Sequence, residues 1–263
     1  MGSATTQALA ATTAALDSAA GVDLATADQL FAAARALGVS PHLSGALADS
    51  AASGPARAKV VADVFGTALA PTSLSLLNTA VAQRWSSASD LVDAIEELAV
   101  RAAARAGADA DIEGELFEFS RTVAANPELE LALGSRLGDD AAKATLVRSI
   151  LGGRASAATI LIVSSLAQSR RERRIRQLLI RAMDLVADER GRKVATVVSA
   201  VPLSASQSER LAAALGKRYG ASVTLNSVVD PSVVGGVRVQ IADDVIDASV
   251  SSRLADLRQR LAG

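Results

Sequence analysis

The chain has 263 residues, no cysteine, one histidine and one tryptophan, and its 27 Lys and Arg against 28 Asp and Glu leave a formal net charge of −1. The missing cysteines exclude a disulfide scaffold, a thiolate zinc site and a cysteine nucleophile, and the balanced charge removes the sequence-independent attraction to phosphate on which most nucleic-acid binders rely. Half of the residues are apolar but only 2 % are aromatic, so the core is expected to be Ala, Leu, Val and Ile packed closely, a composition that favours helices.

Self-comparison organises the first two thirds of the chain. Displaced by 86 positions, Asp23, Leu30, Phe31, Arg35, Pro41, Leu43, Leu47, Val61, Gly66 and Arg84 fall on Asp109, Leu116, Phe117, Arg121, Pro127, Leu129, Leu133, Val147, Gly152 and Arg170, with no gap. Alanine bias does not explain Phe, Pro, Gly and Arg at matched spacing. The pattern predicts a tandem duplication of helical bundles, 1–107 and 108–191, with the segment 89–107 closing the first and opening the second.

Within the copies, Leu91, Ile95, Leu98 and Ala102 form one amphipathic stripe and Ile112, Leu116, Phe119 and Val123 another. Pro41 follows Ser40 and Pro127 follows Asn126, each pair reading as an N-cap with proline at the first helical position. The most apolar segment, 155–168, carries Ser156, Thr159, Ser164 and Ser165 and is shorter than the roughly 20 residues a membrane span needs. No segment is expected to enter a bilayer, and the N-terminus lacks the features of a signal peptide.

After Gly191 the period changes from 3.6 to 2. Lys193–Val201, the alternation around Val223 and Leu225, and the alternation of Val237, Val239 and Ile241 predict three strands. Ser204 and Gln207 form a capping box that opens a helix ending at Gly220, and Val250, Leu254, Leu257 and Leu261 predict a closing helix. The fold class is α+β, mostly α: tandem bundles followed by a strand-helix-strand-strand-helix domain over 192–263.

No catalytic, cofactor-binding or metal site can be assembled. His42 reads as a solvated first-turn residue. The pairs Glu96–Glu97, Asp139–Asp140 and Asp243–Asp244 diverge rather than converge. Gly216-Lys217 lacks the other defining positions of a phosphate loop. The cluster Arg170, Arg171, Arg173, Arg174 and Arg176 reads as a solvated or protein-contacting stretch, with weak nucleic-acid binding as an alternative. Trp85 reads as core, or as part of a helix-docking surface.

The run Val229-Asp230-Pro231-Ser232-Val233-Val234-Gly235-Gly236-Val237-Arg238-Val239, followed by Val245-Ile246-Asp247-Ala248-Ser249-Val250 and Arg253-Leu254, resembles the closing signature of the ATP synthase delta subunit family, which includes the mitochondrial oligomycin-sensitivity-conferring protein. Val198–Leu203, Tyr219-Gly220, and Arg84 or Arg170 near a helix end fit the same family, in a longer form similar to actinobacterial members. The family usually carries one helical bundle, and Ala248 stands where it commonly has glycine. The resemblance implies a non-catalytic peripheral-stalk subunit without cofactors, at the cytoplasmic face of the cell membrane. Its helical part would hold N-terminal helices of the alpha subunits and its C-terminal domain the b subunits. Arg84, Arg170, Asp230, Pro231, Gly235, Gly236, Asp247, Ser249 and Leu254 would be structural or interface residues, with Asp247 and Ser249 capping the last helix. A helical-repeat adaptor of another complex is the competing reading.

Overall fold

The computed structural model describes residues 2–135, 138–169, 174–233, 235–241, 244–248 and 250. The chain separates into two compact units, Met1–Val186 and Ala187–Gly263.

The first unit is helical: α1 Ser3–Ser18, α2 Leu24–Val39, α3 Pro41–Ala48, α4 Gly54–Phe65, α5 Pro71–Ala82, α6 Ala88–Ala106, α7 Ile112–Ala125, α8 Pro127–Gly134, α9 Asp140–Leu151, α10 Ala157–Ala167 and α11 Ile175–Glu189, the last crossing into the second unit. Displaced by 86 positions, α3 and α4 coincide end to end with α8 and α9, and α5 begins where α10 begins. The agreement follows from local punctuation. Proline stands in the first turn of α3, α5 and α8, where its missing N–H costs nothing, and Gly66 and Gly152 close α4 and α9.

The capping expectation holds at one of the two Pro joints. Ser40 accepts from Leu43 N at 3.4 Å, but Asn126 makes no side-chain cap for α8. Its Nδ2 donates to Thr122 O at 2.7 Å, so the amide closes α7 behind it. Glu128 and Glu130 in the first turn of α8 supply the negative charge that end of the helix favours.

Two cores lie side by side. One gathers Leu37, Leu47, Val61, Phe65, Leu77, Trp85, Leu91 and Ile95. The other gathers Leu98, Ile112, Leu116, Phe119, Val123, Val147, Ile162 and Leu179, together with Leu16 of α1 and Ala27, Leu30 and Phe31 of α2. Helix α6 feeds both, Leu91–Ile95 into the first and Leu98–Ala104 into the second. Among the described residues the most extensive helix pairing joins α2 to α6, and α2 also touches α10. Alanines on both partners, among them Ala33, Ala34, Ala94 and Ala99, all buried, let the backbones come close.

The second unit holds β1 Arg192–Ser199, α12 Ala205–Tyr219, β2 Ser222–Val229, β3 Val237–Ile241 and β4 Asp244–Asp247, in the sheet order β2-β1-β3-β4. Strands β1 and β2 are parallel, joined across α12, with Ala195 opposite Leu225. Strand β3 is antiparallel to β1, with Val239 opposite Val197, and β4 antiparallel to β3, with Ile246 opposite Val239. Ala195, Val197, Val239 and Ile241 pack under Leu215 of α12. Both bonds of the Ser204–Gln207 capping box form, and Gly220 ends α12 at φ 69°. Strand β4 is an addition to the expected plan. It is a short edge with an acidic residue at each end, too brief to show a period. Beyond Val250 the closing helix, with Leu254, lies outside the described residues.

Candidate functional site

The C-terminal signature is first a structural knot. Asp230 N donates to Ser199 O at 2.8 Å, tying the end of β2 to the end of β1, and Val233 N returns to Asp230 O at 3.1 Å across Pro231. The carboxylate accepts from Ser232 N at 2.9 Å. Hydrogen bonds from Ser232, hydroxyl first and amide second, hold the Asp230 carboxyl below its ordinary range. Gly235 and Gly236 both adopt the left-handed region, at φ 66° and 76°. A Cβ on Gly235 would lie 3.0 Å from Val250 Cγ2, and Val250 N donates to Gly235 O at 3.2 Å. The two halves of the signature are therefore bound to each other through the glycine that has no side chain.

Asp247 ends β4 opposite Arg238, whose Nε lies 3.8 Å from its Oδ2. The helix it is expected to cap, Ser249 and Leu254 all fall outside the described residues. A polar cluster at the other end of the sheet carried no motif in the sequence. Tyr219 donates to Asp244 Oδ2 at 3.1 Å, and Lys193 Nζ and the Arg218 guanidinium each stand 5.7 Å from its ring centre.

In the helical unit, Arg84 is exposed just past the end of α5. Trp85 beside it is buried, its Nε1 donating to Ala80 O at 2.8 Å. Arg57 of α4, also buried, donates to Gln83 O at 3.0 Å and Ala82 O at 3.3 Å, closing the last carbonyls of α5. Arg170, with Arg171 and Arg173, lies outside the described residues. Arg174 is exposed, and Arg176 Nη1 lies 3.8 Å from Glu130 Oε2. His42 is exposed.

The face formed by α1 and α5 was not singled out by sequence. The two helices pack together and carry between them one charged residue, Asp17, in a chain that is 21 % charged. Thr6, Ala10 and Ala14 of α1 and Ser75 and Ala82 of α5 are exposed there. Solvated helix faces carry charge, and the long uncharged runs 3–16 and 71–82 were the available signal. Among the described residues no group of three or more His, Asp or Glu stands where it could hold a metal ion, and no helix is long and apolar enough to cross a membrane.

The family model for the ATP synthase delta (OSCP) subunit matches residues 99–261, a stretch that opens inside α6 and runs through the second core into the C-terminal unit. ATP synthase subunit delta of Leifsonia xyli is 48 % identical and covers 100 % of both chains. Those of Streptomyces avermitilis and Kineococcus radiotolerans are 44 % and 43 % identical, covering 90 % and 94 % of this chain and 88 % and 91 % of their own. Similarity at this level along the whole length identifies the family, and the chain belongs to the ATP synthase delta (OSCP) subunit family.

Proposed function

We propose that this chain is a non-catalytic peripheral-stalk subunit of a proton-translocating ATP synthase, held at the cytoplasmic face of the membrane by its partners. Its helical unit grips N-terminal helices of the alpha subunits, its C-terminal unit holds the b subunits, and the whole resists the torque of the rotor. The helical unit is read as two copies, 1–107 and 108–191, sharing α6, with the C-terminal domain from 192.

The observation that carries the reading is the uncharged α1–α5 face. It exposes Ala, Ser and Thr side chains on two adjacent helices, a surface that loses little on desolvation and admits another helix closely. Full-length similarity to relatives named ATP synthase subunit delta supports the same reading. A competing nucleic-acid role would have to rest on the Arg170 cluster against a chain of net charge −1. The test is a pull-down from detergent-solubilised membranes with the full chain. Recovery of alpha and b subunits is expected, and recovery of an unrelated complex, or steep salt-dependent retention on DNA with no ATP synthase subunits, overturns the proposal.

A further inference from the structure

We infer that the C-terminal unit takes a segment of the b subunit as an added strand, laid in extended form along the outer edge of β2 in the groove beside α12. The inference rests on the reading that the C-terminal unit holds the b subunits, and it decides on which edge and in what conformation.

The sheet order β2-β1-β3-β4 leaves two edges, and they are built differently. Strand β4 has four residues and carries Asp244 and Asp247 at its ends, the brevity and charge that protect an edge from further pairing. Strand β2 has eight residues, Ser222–Val229, and no charge, proline or glycine among them. Val223, Thr224, Val228 and Val229 are β-branched and favour extended pairing. Strand β1 pairs with β2 along all eight residues, and among the described residues no strand pairs with its other side. Main-chain groups turned outward from such an edge are matched by another extended chain, because a helix uses its own internally.

Helix α12 packs on β2. Ala212, Ala213 and Gly216 of α12 and Ala221, Ser222 and Val223 of the other wall line an open groove between them. The helix wall presents nothing larger than a methyl group, so every second side chain of an added strand has room there. Gly216 keeps the groove open at its narrow end, where a Cβ would stand 3.2 Å from Ala221 O.

The charges at that end select the occupant. Lys193 lies opposite Val223 in the sheet, Lys217 and Arg218 occupy the last turn of α12, and all three are exposed. Lys193 and Arg218 flank the Tyr219 ring, whose hydroxyl donates to Asp244. Three cations beside the mouth of an apolar groove favour an acidic segment. The matching stretch of the b subunit is extended, apolar at alternate positions and acidic at one end.

The experiment follows amide hydrogen exchange in the full chain with short overlapping peptides that tile the cytoplasmic part of the b subunit encoded in the same genome. An acidic peptide is expected to bind and to slow exchange along β2. Ala213→Arg, which fills the groove from an exposed position, should weaken binding about tenfold or more. Lys217→Glu should weaken it less and flatten its salt dependence. Ala214→Arg, exposed on α12 but outside the groove, should bind as the wild type does. N-methylation of alternate peptide amides should abolish binding in one phase and spare it in the other, since alternate residues face β2. Binding that leaves β2 exchange unchanged, that survives N-methylation in both phases, or that is lost equally in Ala214→Arg overturns the strand assignment while b docking stands. So does a chain that retains whole b subunits in the pull-down but binds no peptide. A chain that retains no b subunit overturns the docking reading and this inference with it.

Discussion

At the joint between the second and fifth helices, one copy uses a neutral amide and the other a carboxylate. Gln29 Oε1 accepts from Ala70 N at 2.8 Å. At the matching place Glu115 Oε2 accepts from Ser156 N at 3.0 Å, from the Ser156 hydroxyl at 2.7 Å and from the Thr159 hydroxyl. A second pair behaves likewise. Arg57 and Lys143 are buried cations at matched positions of α4 and α9, but the arginine fork closes α5 whereas Lys143 Nζ donates to Ser135 O in the loop before its own helix. The ends of α3 and α8, and of α4 and α9, coincide under the displacement of 86 positions. The polar contacts on those positions use different groups, and at the joint the larger set of bonds belongs to the copy matched by the family model.

The sharpest way to break this comparison is to ask whether the copies unfold separately. Phe31→Ala should cost about 3–5 kcal/mol in urea unfolding. Because that ring belongs by sequence to the first copy and by packing to the second core, it should shift the same single transition that Leu77→Ala shifts. Two transitions, of which each variant moves only one, would make the copies independent.

A smaller contrast is expected at the joint described above. Glu115→Ala leaves the Ser156 and Thr159 donors without their acceptor and should cost about 1–3 kcal/mol, against about 0.5–1.5 kcal/mol for Gln29→Ala. Equal losses would show that the added bonds contribute nothing.

Gly21 and Gly107 are also matched, for different reasons. Gly21 has φ +69° and nothing within 4 Å of where its Cβ would stand, whereas a Cβ on Gly107 would come 2.8 Å from Ala158 Cβ. Gly107→Ala should cost about 1–3 kcal/mol by overpacking, and Gly21→Ala about 1–2 kcal/mol through the left-handed backbone. Asparagine, which tolerates that backbone, should restore stability at 21 and worsen it at 107, as read by thermal melting.

The smallest effect concerns acid. Hydrogen bonds from Thr26, amide first and hydroxyl second, hold the Asp23 carboxyl below its ordinary value of 3.8. A carboxyl depressed in the folded state stabilises fully above about pH 4, and that contribution is lost as pH falls through the lowered folded value. Asp23→Asn keeps a capping oxygen, so the melting temperature should fall less steeply below pH 4 than in the wild type. Asp109 matches Asp23 in sequence, but α7 is capped by Asp111, which accepts from Gly114 N at 3.2 Å. Asp109→Asn should therefore leave the melting temperature unchanged.

Most of the helical plan was legible because its signals are local. The stripes Leu91–Ala102 and Ile112–Val123 are buried along their length, and the Ser204 box opens α12 and Gly220 ends it where expected. The double membership of α2 was not legible. Ala27, Ala33 and Ala34 lie on buried faces, yet alanine is equally at home on a solvated helix, so an Ala-rich helix does not declare how many sides it buries. Asn126 misled because one residue ends α7 and starts α8, and its amide serves only one of them. At the signature, the paired glycines permit the left-handed backbone found there. The bond from Val250 to Gly235 joins residues distant in the chain and left no mark in either segment.

Helix α6 is continuous through both cores, 19 residues or about 28 Å long. An engineer would call this a lap splice rather than a hinge: the two bundles share a member instead of being bolted end to end. Bending one bundle against the other means breaking main-chain bonds in the middle of a buried helix, so the helical unit acts as a stiff spacer, and elastic twist in any assembly containing it has to be stored in other parts.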